Sequence, residues 1–543
     1  MAWNLEIHTI DVGQGESSLI IAYDPATNES RSMLIDAGLS SYAKTVHEYI
    51  TSQLSLLGLP RTVSHILVSH YDGDHSGGIV SLLTADNLYR QCKVLAEAAG
   101  AAAYAAALAN QTQDHQIAAA AAASVATARG AYDVPGKLAS NTAVTAGTNT
   151  YGIVVTNQSS KQVASEGVDS GEVTADKNAN LNPPLISTSL MRRKVCSNAG
   201  IAAGGVNGGD AAARSAAAFT VIFDQLRGTV PEDSRFLTDG LYDKVHIIDI
   251  GDTNDIPSNY VNVINGRHLM SGNHVVELPG LTRTRLQNPA LGREVLWKSG
   301  LVAAPSANAP EVFVVACRKS IWKTPKEKLP IPGTSNSDSI GLILRFNNFF
   351  YYTGGDLPSE GEDLVATAVM GNGLPNPTQQ NPKNTYPKPN CIACFKCGHH
   401  GSNHSTSLNF LKLIKPRAAF ISSGYKVFKD EILPAQKLID RLNADTNILY
   451  FYLTNCKVET IGVPASQGHD QGTVLGNKSR VCGDNDDNNL LVGRRRGNIK
   501  LTISQNESTG VVPATFHVEY FDVDEKDPIT KNPIGVQIED ITF

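Results

Sequence analysis

The feature that most constrains this chain is the run His70-x-Asp72-x-Asp74-His75, which places four potential metal ligands within six positions. A short apolar segment, residues 65–68, comes directly before it, so we predict that the run lies on a loop after a strand. Neither a helical nor a strand period explains four such residues at this spacing. The alternative interpretation is a solvated polar turn that carries its histidines by chance.

Side chains on a tight loop can converge on a pair of metal ions. Imidazole nitrogen suits zinc and other borderline metals, whereas carboxylate oxygen also suits manganese or iron. We therefore expect two divalent metal ions, zinc or manganese, as cofactors. Paired ions lower the pKa of a bound water toward neutrality and neutralise charge on a phosphoryl or carbonyl oxygen in the transition state. The run thus predicts metal-assisted hydrolysis.

Histidines and carboxylates also follow other predicted strands. The strand predicted at 349–353 runs into Gly354-Gly355-Asp356, and residues 393–397 lead into Gly398-His399-His400-Gly401. Asp36 ends an earlier strand, which belongs to a predicted β-meander. Strands that end in His or Asp beside glycine are how an α/β fold assembles ligands from distant parts of a chain. These residues are therefore candidates for the same site.

Composition changes abruptly between residues 94 and 218. Alanine-rich tracts at 98–109 and 118–128, with long Asn/Ser/Thr/Gly stretches, provide few large side chains for a core. We expect an insertion that packs loosely on the main domain or mediates homo-oligomer or protein contacts; a substrate-gating cap is the alternative. The predicted segments are the first half of the main domain (1–93), the insertion (94–218), the second half (219–460) and a C-terminal β-rich extension (461–543).

Bulk composition adds few further limits. A hydrophobic share of 41% and a charged share of 18% fit a globular protein, and no apolar run is long enough to cross a bilayer. Residues 1–8 lack the features of a secretory signal, so we expect a soluble, cytoplasmic protein without a membrane partner. The net charge of −6 argues against a generally basic nucleic-acid coat. Eight cysteines in a chain of this length do not make a disulfide scaffold.

Five ordered motifs resemble those of metallo-β-lactamase-fold proteins, and more closely those of the soluble hydrolase domain of the ComEC competence proteins. The resemblance covers roughly residues 4–90 and 240–455. It implies an α/β fold, a four-layer αβ/βα sandwich that is interrupted by the large alanine-rich insertion and extended by C-terminal strands. The motifs are Asp11-Val12-Gly13-Gln14-Gly15-Glu16-Ser17, Leu34-Ile35-Asp36-Ala37-Gly38, Ser69-His70-Tyr71-Asp72-Gly73-Asp74-His75-Ser76-Gly77-Gly78, Thr353-Gly354-Gly355-Asp356-Leu357 and Gly398-His399-His400-Gly401-Ser402.

The resemblance also implies which residues bind each metal. His70 and Asp72 would bind the first ion, with Asp72 standing where most of the superfamily has histidine. Asp74 and His75 would bind the second ion. Asp356 would bridge the two, as the carboxylate of the fourth motif does in the superfamily.

The remaining site residues have supporting or catalytic roles by the same resemblance. Asp36 would orient a metal ligand from behind it. One of His399 and His400 would complete the metal site, and the other would donate a proton to the leaving group. Together with Asp74, these two histidines are the candidate catalytic residues. The alternative for the histidine pair is a polar loop with one capping histidine.

The chain departs from the family pattern at two places. Many superfamily members have a further histidine between the second and fourth motifs, and no histidine here has clear ligand spacing. His246 in that interval lies in an apolar strand and is predicted to be a packed, hydrogen-bonded core residue. The segment Glu431-Ile432-Leu433-Pro434 also lacks the histidine expected before its proline. The second ion is thus predicted to have fewer ligands. The histidines in the interval are His115, His246, His268 and His274.

Two further clusters, one of cysteines and one of basic residues, are predicted to have structural rather than chemical roles. Cys391, Cys394 and Cys397 have metal-like spacing, but a strand over 392–397 would turn the middle thiol away from the other two. Buried packing is therefore predicted instead of a zinc knot. The basic run 494–496 could contact phosphates, although an exposed turn between strands is favoured.

The predicted reaction is metal-assisted hydrolysis of a phosphodiester, in a nucleic acid or a small nucleotide. ComEC-type relatives are regarded as nucleases, and paired ions suit a doubly coordinated phosphate. Since a fold does not fix a substrate, hydrolysis of a lactone, thioester or β-lactam is the enzymatic alternative. The non-enzymatic alternative is a catalytically degenerate assembly or binding protein, in which the insertion makes the contacts.

Overall fold

A computed structural model describes the chain over separate ranges. Most of the predicted insertion, with His115, and the basic run 494–496 lie outside the described residues. The described ranges are 2–112, 211–251, 256–270, 274–277, 280–286, 295–296, 309–324, 327–331, 335–374, 386, 388–424, 426–428, 431–455, 476–482, 497–505, 514–521 and 536–543.

The chain forms two compact units. The first comprises Met1–Ile79, Lys244–Ile256 and Thr282–Phe543, and the second comprises Val80–Asp243 and Pro257–Leu281. Among the described residues, strands predominate in the first unit and helices in the second. None of the helices in the described ranges is long and apolar enough to cross a membrane.

The secondary structure is mixed α/β. In chain order, the described strands are β1 (Asn4–Thr9), β2 (Ser18–Asp24), β3 (Glu29–Ile35), β4 (His65–Leu67), β5 (His246–Asp249), β6 (Arg267–Met270), β7 (His274–Glu277), β8 (Thr282–Arg285), β9 (Glu311–Cys317), β10 (Ser320–Thr324), β11 (Glu327–Pro330), β12 (Gly341–Phe346), β13 (Phe349–Thr353), β14 (Cys394–Lys396), β15 (Ala418–Ile421), β16 (Lys426–Phe428), β17 (Glu431–Leu433), β18 (Tyr450–Leu453), β19 (Ser479–Val481), β20 (Ile499–Ser504), β21 (Thr515–Phe521) and β22 (Val536–Thr542). The described α-helices are α1 (Ala43–Leu56), α2 (Gly73–Thr112), α3 (Ala211–Leu226), α4 (Ser258–Ile264), α5 (Ser359–Asn372), α6 (Leu408–Ile414) and α7 (Gln436–Ala444). Short 3-10 helices cover Ser40–Tyr42, Arg227–Thr229, Glu232–Ser234, Ser335–Asp338 and His399–Gly401.

Two mixed sheets, each of nine described strands, form the framework of the first unit. The first sheet has the order β22-β21-β20-β1-β2-β3-β4-β5-β8, and the second has the order β11-β10-β9-β12-β13-β14-β15-β18-β19. In the first sheet β3, β4, β5 and β8 run parallel. In the second, β13, β14, β15, β18 and β19 run parallel. Each sheet therefore has an edge at which several carboxyl ends meet.

The predicted β-meander is confirmed, because β1, β2 and β3 pair antiparallel in sequence order. Helix α1 follows with buried residues one turn apart, Val46, Ile50 and Leu54, which is the pattern of a helix with one apolar face. Its Tyr49 hydroxyl lies 2.9 Å from Nδ1 of His8 on β1. Helix α1 thus lies on one face of the first sheet.

Alternating side chains of β13 show how the second sheet is covered. Tyr352 contacts the Phe410 ring of α6, with centroids 5.3 Å apart. Its neighbour Tyr351 points to the opposite face, as in any strand, and contacts Phe420 of β15. Phe420 stacks on Tyr452 of β18, which contacts the Tyr520 ring of β21 in the first sheet. The two sheets therefore pack face to face, with α6 on the outer face of the second.

Helix α2 begins earlier than the sequence indicated. The predicted loop ends at Gly73, so Asp74 and His75 occupy the first helical turn rather than a loop. Weak helix formers obscure this start, since Gly77 and Gly78 follow at once. A Cβ at Gly78 would lie only 2.1 Å from the Ala37 carbonyl oxygen, so this close contact requires glycine.

Of the predicted segment boundaries, 218/219 lies within α3, and 460/461 lies outside the described residues. Helix α2 runs across the boundary expected at 93/94. Strands β20, β21 and β22 of the C-terminal extension do not form a separate sheet, because β20 pairs antiparallel with β1, for example Leu5 with Ile503. The tail thus supplies three strands to the first sheet.

Candidate metal centre

Carboxyl ends of strands from both sheets meet at the candidate metal centre. Asp36 and His70 follow β3 and β4 of the first sheet, and Asp356 and the His399-His400 pair follow β13 and β14 of the second. Open α/β sheets bind ligands at this end of their strands. Each of the seven residues predicted to bind metal lies within 3.8 Å of at least one other. They are His70, Asp72, Asp74, His75, Asp356, His399 and His400.

The Asp356 carboxylate lies at the middle of this group. Its Oδ1 is 3.2 Å from Nε2 of His75 and 3.8 Å from Nε2 of His400. Its Oδ2 is 3.8 Å from Nε2 of His70 and 3.6 Å from Nε2 of His399. Each oxygen therefore faces a different pair of histidines, which is the geometry of a carboxylate shared between two positions.

Two overlapping sets of residues around Asp356 could each hold a cation. One set is His70, His75 and Asp356, and the other is Asp74, His75 and His400. Oδ2 of Asp72 lies 3.6 Å from the His70 ring, and Oδ2 of Asp74 lies 3.5 Å from the His400 ring. His70 and Asp72 thus lie together on one side and Asp74 and His400 on the other, and His75 belongs to both sets.

Two buried polar atoms at the centre, Nε2 of His70 and Oδ1 of Asp356, face groups of opposite charge but make no well-formed hydrogen bond. Buried polar groups are normally hydrogen-bonded, because an unsatisfied one costs desolvation energy. Both atoms are good ligands for a divalent cation. The residues present therefore fit bound metal.

Asp36 orients two of the histidines. Its Oδ2 accepts a hydrogen bond from Nδ1 of His75 at 2.8 Å, so the His75 Nε2 faces Asp356. The Ser69 hydroxyl donates to the same Oδ2 at 2.5 Å and lies 3.1 Å from Nδ1 of His70. Since the hydroxyl proton points to the carboxylate, the Ser69 oxygen accepts from His70. Asp36 was predicted to orient one ligand; it holds one directly and a second through Ser69.

The two adjacent histidines differ in environment. His400 is buried, its Nδ1 donates to the Ser422 carbonyl at 3.2 Å, and its Nε2 lies 3.1 Å from Nε2 of His75. The His399 side chain is 30% exposed. Both residues have left-handed backbone, with φ of 47° and 51°. Such strain at non-glycine residues persists where the surrounding structure imposes it, often at functional sites.

The charges of the centre shift the pKa values of its buried groups. Burial alone would raise the pKa of Asp356, but the facing His75 and His400 rings outweigh burial and hold that pKa well below its usual value. Burial opposes protonation of His75, yet Asp356 and Asp36 raise its pKa well above that of a free imidazole. Burial lowers the pKa of His400 to about 4. The buried carboxylates of Asp36 and Asp356 therefore favour positive charge at the centre.

The comparisons with known proteins identify no family. The sequence matches none of the protein-family models, and no curated protein matches it. A functional interpretation therefore rests on the geometry of the centre.

Sequence reasoning gave no role to four residues that support the centre: Glu16, Ser69, Ser339 and Lys396. The buried Ser339 hydroxyl accepts the backbone N–H of Asp356 at 3.2 Å. Ser69 lies next to a predicted ligand and Glu16 lies in a quoted motif, so their positions were visible. Their partners could not be recognised, because Asp36 lies 33 positions from Ser69 and Lys396 lies 380 positions from Glu16.

The sequence predicts no metal-binding role for several other histidines and cysteines. His246 of β5 is buried, and both its ring nitrogens bond threonine hydroxyls, at 2.9 and 2.8 Å, as expected of a core histidine. His268 and His274 lie on β6 and β7. Cys394 and Cys397 are buried and free, and Cys391 is half-buried and free. The metal-ligand sets found among the described residues contain no cysteine.

Proposed function

We propose that this chain is a metal-dependent hydrolase that uses two divalent ions, zinc or manganese. The observation that carries the proposal is the shared position of Asp356, whose two oxygens face different histidine pairs beside the unsatisfied Nε2 of His70. The residues that would hold the ions are His70, Asp72, Asp74, His75, Asp356 and His400.

We further infer the four-layer αβ/βα sandwich of the metallo-β-lactamase fold. Three features support it: the two sheets pack face to face through Tyr452 and Tyr520, α1 lies on the first sheet, and α6 lies on the outer face of the second. The centre also draws on all five motifs that resemble the ComEC hydrolase domain, in their expected order.

Charge supports two ions rather than one. Glu16 is paired with Lys396, so four carboxylates are left to be balanced at the centre. Two divalent cations would balance their four negative charges, which matters most at the buried Asp36 and Asp356, because uncompensated buried charge is costly. The four carboxylates belong to Asp36, Asp72, Asp74 and Asp356.

The ions would supply a nucleophilic water and neutralise charge on the attacked group. The residues divide the remaining tasks by exposure. Asp74 and His399 are partly exposed, so they can meet substrate and exchange protons with it. Asp74 accepts the proton of the attacking water, and His399 donates a proton to the leaving oxygen. His400 is buried and hydrogen-bonded to Ser422, so it holds the centre instead.

A phosphodiester is the proposed substrate. Its two non-bridging oxygens can each face one of two cations, and this suits the pair of positions on either side of Asp356. An ester, lactone, thioester or β-lactam presents one carbonyl oxygen and makes use of only one position. We therefore expect diester hydrolysis to exceed ester hydrolysis.

The proposal is tested by metal analysis and by matched assays. The purified chain should bind two equivalents of zinc or manganese and hydrolyse bis-p-nitrophenyl phosphate faster than p-nitrophenyl acetate or a chromogenic β-lactam. Asp74→Ala should lose most of the turnover, whereas Asp440→Asn, an exposed residue of α7, should lose none. A chain that binds no metal and turns over none of these substrates would leave the assembly-protein alternative.

A further inference from the structure

A fully buried ion pair lies beside the metal centre. Lys396 is the last residue of β14, and its Nζ binds Oε2 of Glu16, which lies in the loop between β1 and β2. Both side chains have no exposed surface. The pair thus links the loop between β1 and β2 of the first sheet to β14 of the second sheet.

Glu16 also contacts other segments that carry metal ligands. Its N–H donates to the Asp74 carbonyl at 3.0 Å, and its carbonyl accepts the Gly38 N–H at 2.8 Å. Its Oε1 accepts from the Thr353 hydroxyl at 3.3 Å. Lys396 holds the remaining oxygen. One residue thus ties together the metal-binding run, the Asp36 loop, and the strands that precede Asp356 and His399-His400.

Stability alone is a weak reason for such a pair. Two charges lose their hydration on burial, and replacement of a buried ion pair by apolar residues is often neutral or stabilising. The pair instead lies where ligands from two sheets must meet at a fixed separation. Thr353 and Lys396 lie shortly before metal ligands of the second sheet: Asp356 follows Thr353 by three positions, and His400 follows Lys396 by four.

We propose that Glu16 and Lys396 are positioning residues that set the spacing between the metal ligands of the two sheets. This inference rests on the proposed function, because it concerns the same centre. Glu16, Asp36 and His75 form a third set that could hold a cation. The Lys396 ammonium supplies that positive charge, so the set needs no third ion.

A double-mutant cycle tests the proposal. Lys396→Met and Glu16→Gln each leave one buried partner alone, and the double variant Glu16→Gln/Lys396→Met removes both charges. We expect both single variants to lower Tm and the double variant to recover it. Metal affinity, measured by chelator competition on folded protein, should remain 10–100-fold weaker in the double variant, as for other residues that orient metal ligands. The Co²⁺ absorption spectrum should also change.

A second, half-buried ion pair that links the two sheets is the control. Arg480 of β19 and Glu539 of β22 lie 2.7 Å apart and also join the two sheets, away from the metal ligands. Arg480→Met/Glu539→Gln should leave metal affinity and the Co²⁺ spectrum unchanged. Loss of affinity in this control as large as in the Glu16/Lys396 double variant would overturn the proposal, because any link between the sheets would then have the same effect.

Two other results would also overturn it. One is a Glu16→Gln/Lys396→Met variant that binds metal within twofold of wild type. The other is tighter metal binding or a third bound equivalent in Lys396→Met, since the lysine would then be a competitor for metal. If the wild-type chain itself binds no metal, the proposed function fails first, and the two failures are thereby distinguished.

Discussion

The metal centre has a buried half and an exposed half, and they are built differently. The side chains of His75, His400 and Asp356 are at most 4% exposed. Those of Asp72, His399 and Asp74 are 55%, 30% and 22% exposed. The buried rings are oriented by fixed hydrogen bonds, to Asp36 and to the Ser422 carbonyl.

This difference separates two tasks within one site. Buried, hydrogen-bonded ligands keep their geometry and so determine whether metal is held. Exposed side chains meet water and substrate, so they determine how fast protons move during turnover. Substitutions in the two halves should therefore differ in kind as well as in size.

The largest effect is expected in the buried half, from Asp356→Asn. Loss of the shared carboxylate should reduce bound metal below two equivalents and lower turnover by about 10³-fold or more, because several kcal/mol of charge stabilisation are removed. Metal content by mass spectrometry and diester hydrolysis measure both effects. Retention of two ions with normal turnover would contradict the central place of Asp356.

His399, the exposed residue that is not among the proposed metal ligands, should respond through turnover alone. His399→Gln is expected to lower turnover roughly 100-fold while metal content stays at the wild-type value, because a proton donor is lost but no buried ligand is. The loss should be smaller for a p-nitrophenyl diester than for an alkyl diester, whose leaving group needs the proton. An equal loss for both, or a loss of metal, would show that His399 acts as a ligand instead.

A smaller effect should follow from the hydroxyl behind His70. Ser69→Ala removes the link from Asp36 to that ring, and metal affinity should fall about 10–100-fold. Turnover at saturating metal should remain close to wild type. Ser69→Thr keeps the hydroxyl and is the control; if both variants bind metal equally well, the hydrogen bond to His70 is unimportant.

The smallest effect on the metal centre itself is expected from a buried carboxyl near the His399-His400 pair, which acts on stability instead. Burial raises the pKa of Glu362 to about 8, and the Thr406 N–H donates to this side chain. The folded chain therefore binds a proton that the unfolded chain, with a pKa near 4.5, releases. This group's contribution to stability is complete below pH 4.5 and is lost as the pH rises to about 8, by at most about 1.4 kcal/mol per pH unit.

Glu362→Gln should remove that dependence. Denaturant unfolding of the two proteins at several pH values between 5 and 9 measures the difference. The wild-type chain should lose stability relative to the variant as pH rises. Parallel curves would show that Glu362 titrates at an ordinary pKa.

Much of the fold and of the exposed half could be predicted from sequence, for a physical reason. The run His70-x-Asp72-x-Asp74-His75 is local, and its ligands need only a tight turn to converge. Strand β13, Phe349–Thr353, was predicted at its observed bounds because a continuous apolar run ends at glycine. Ligands that directly follow such strands can be recognised without the fold.

The support beneath the ligands could not be predicted in this way. Glu16 and Lys396 are 380 positions apart, and no local pattern relates a glutamate in a glycine-rich loop to a lysine in a short strand. The start of α2 was also missed, because Gly77 and Gly78 weaken the helical pattern, and Gly78 is required by its close contact with Ala37. Both features depend on tertiary contacts, and no local sequence pattern indicates such contacts.

The pairing of β1 with β20 has a consequence for folding during translation. Asn4 is paired with Ser504, so β1 leaves the ribosome about 500 residues before the strand that covers that edge. At ~5–20 residues per second, roughly 25–100 seconds pass between the two events. Throughout that interval the nascent chain has an unpaired strand edge, which is a template for aggregation. We expect chaperone demand during translation to persist until the last strands of the first sheet have emerged.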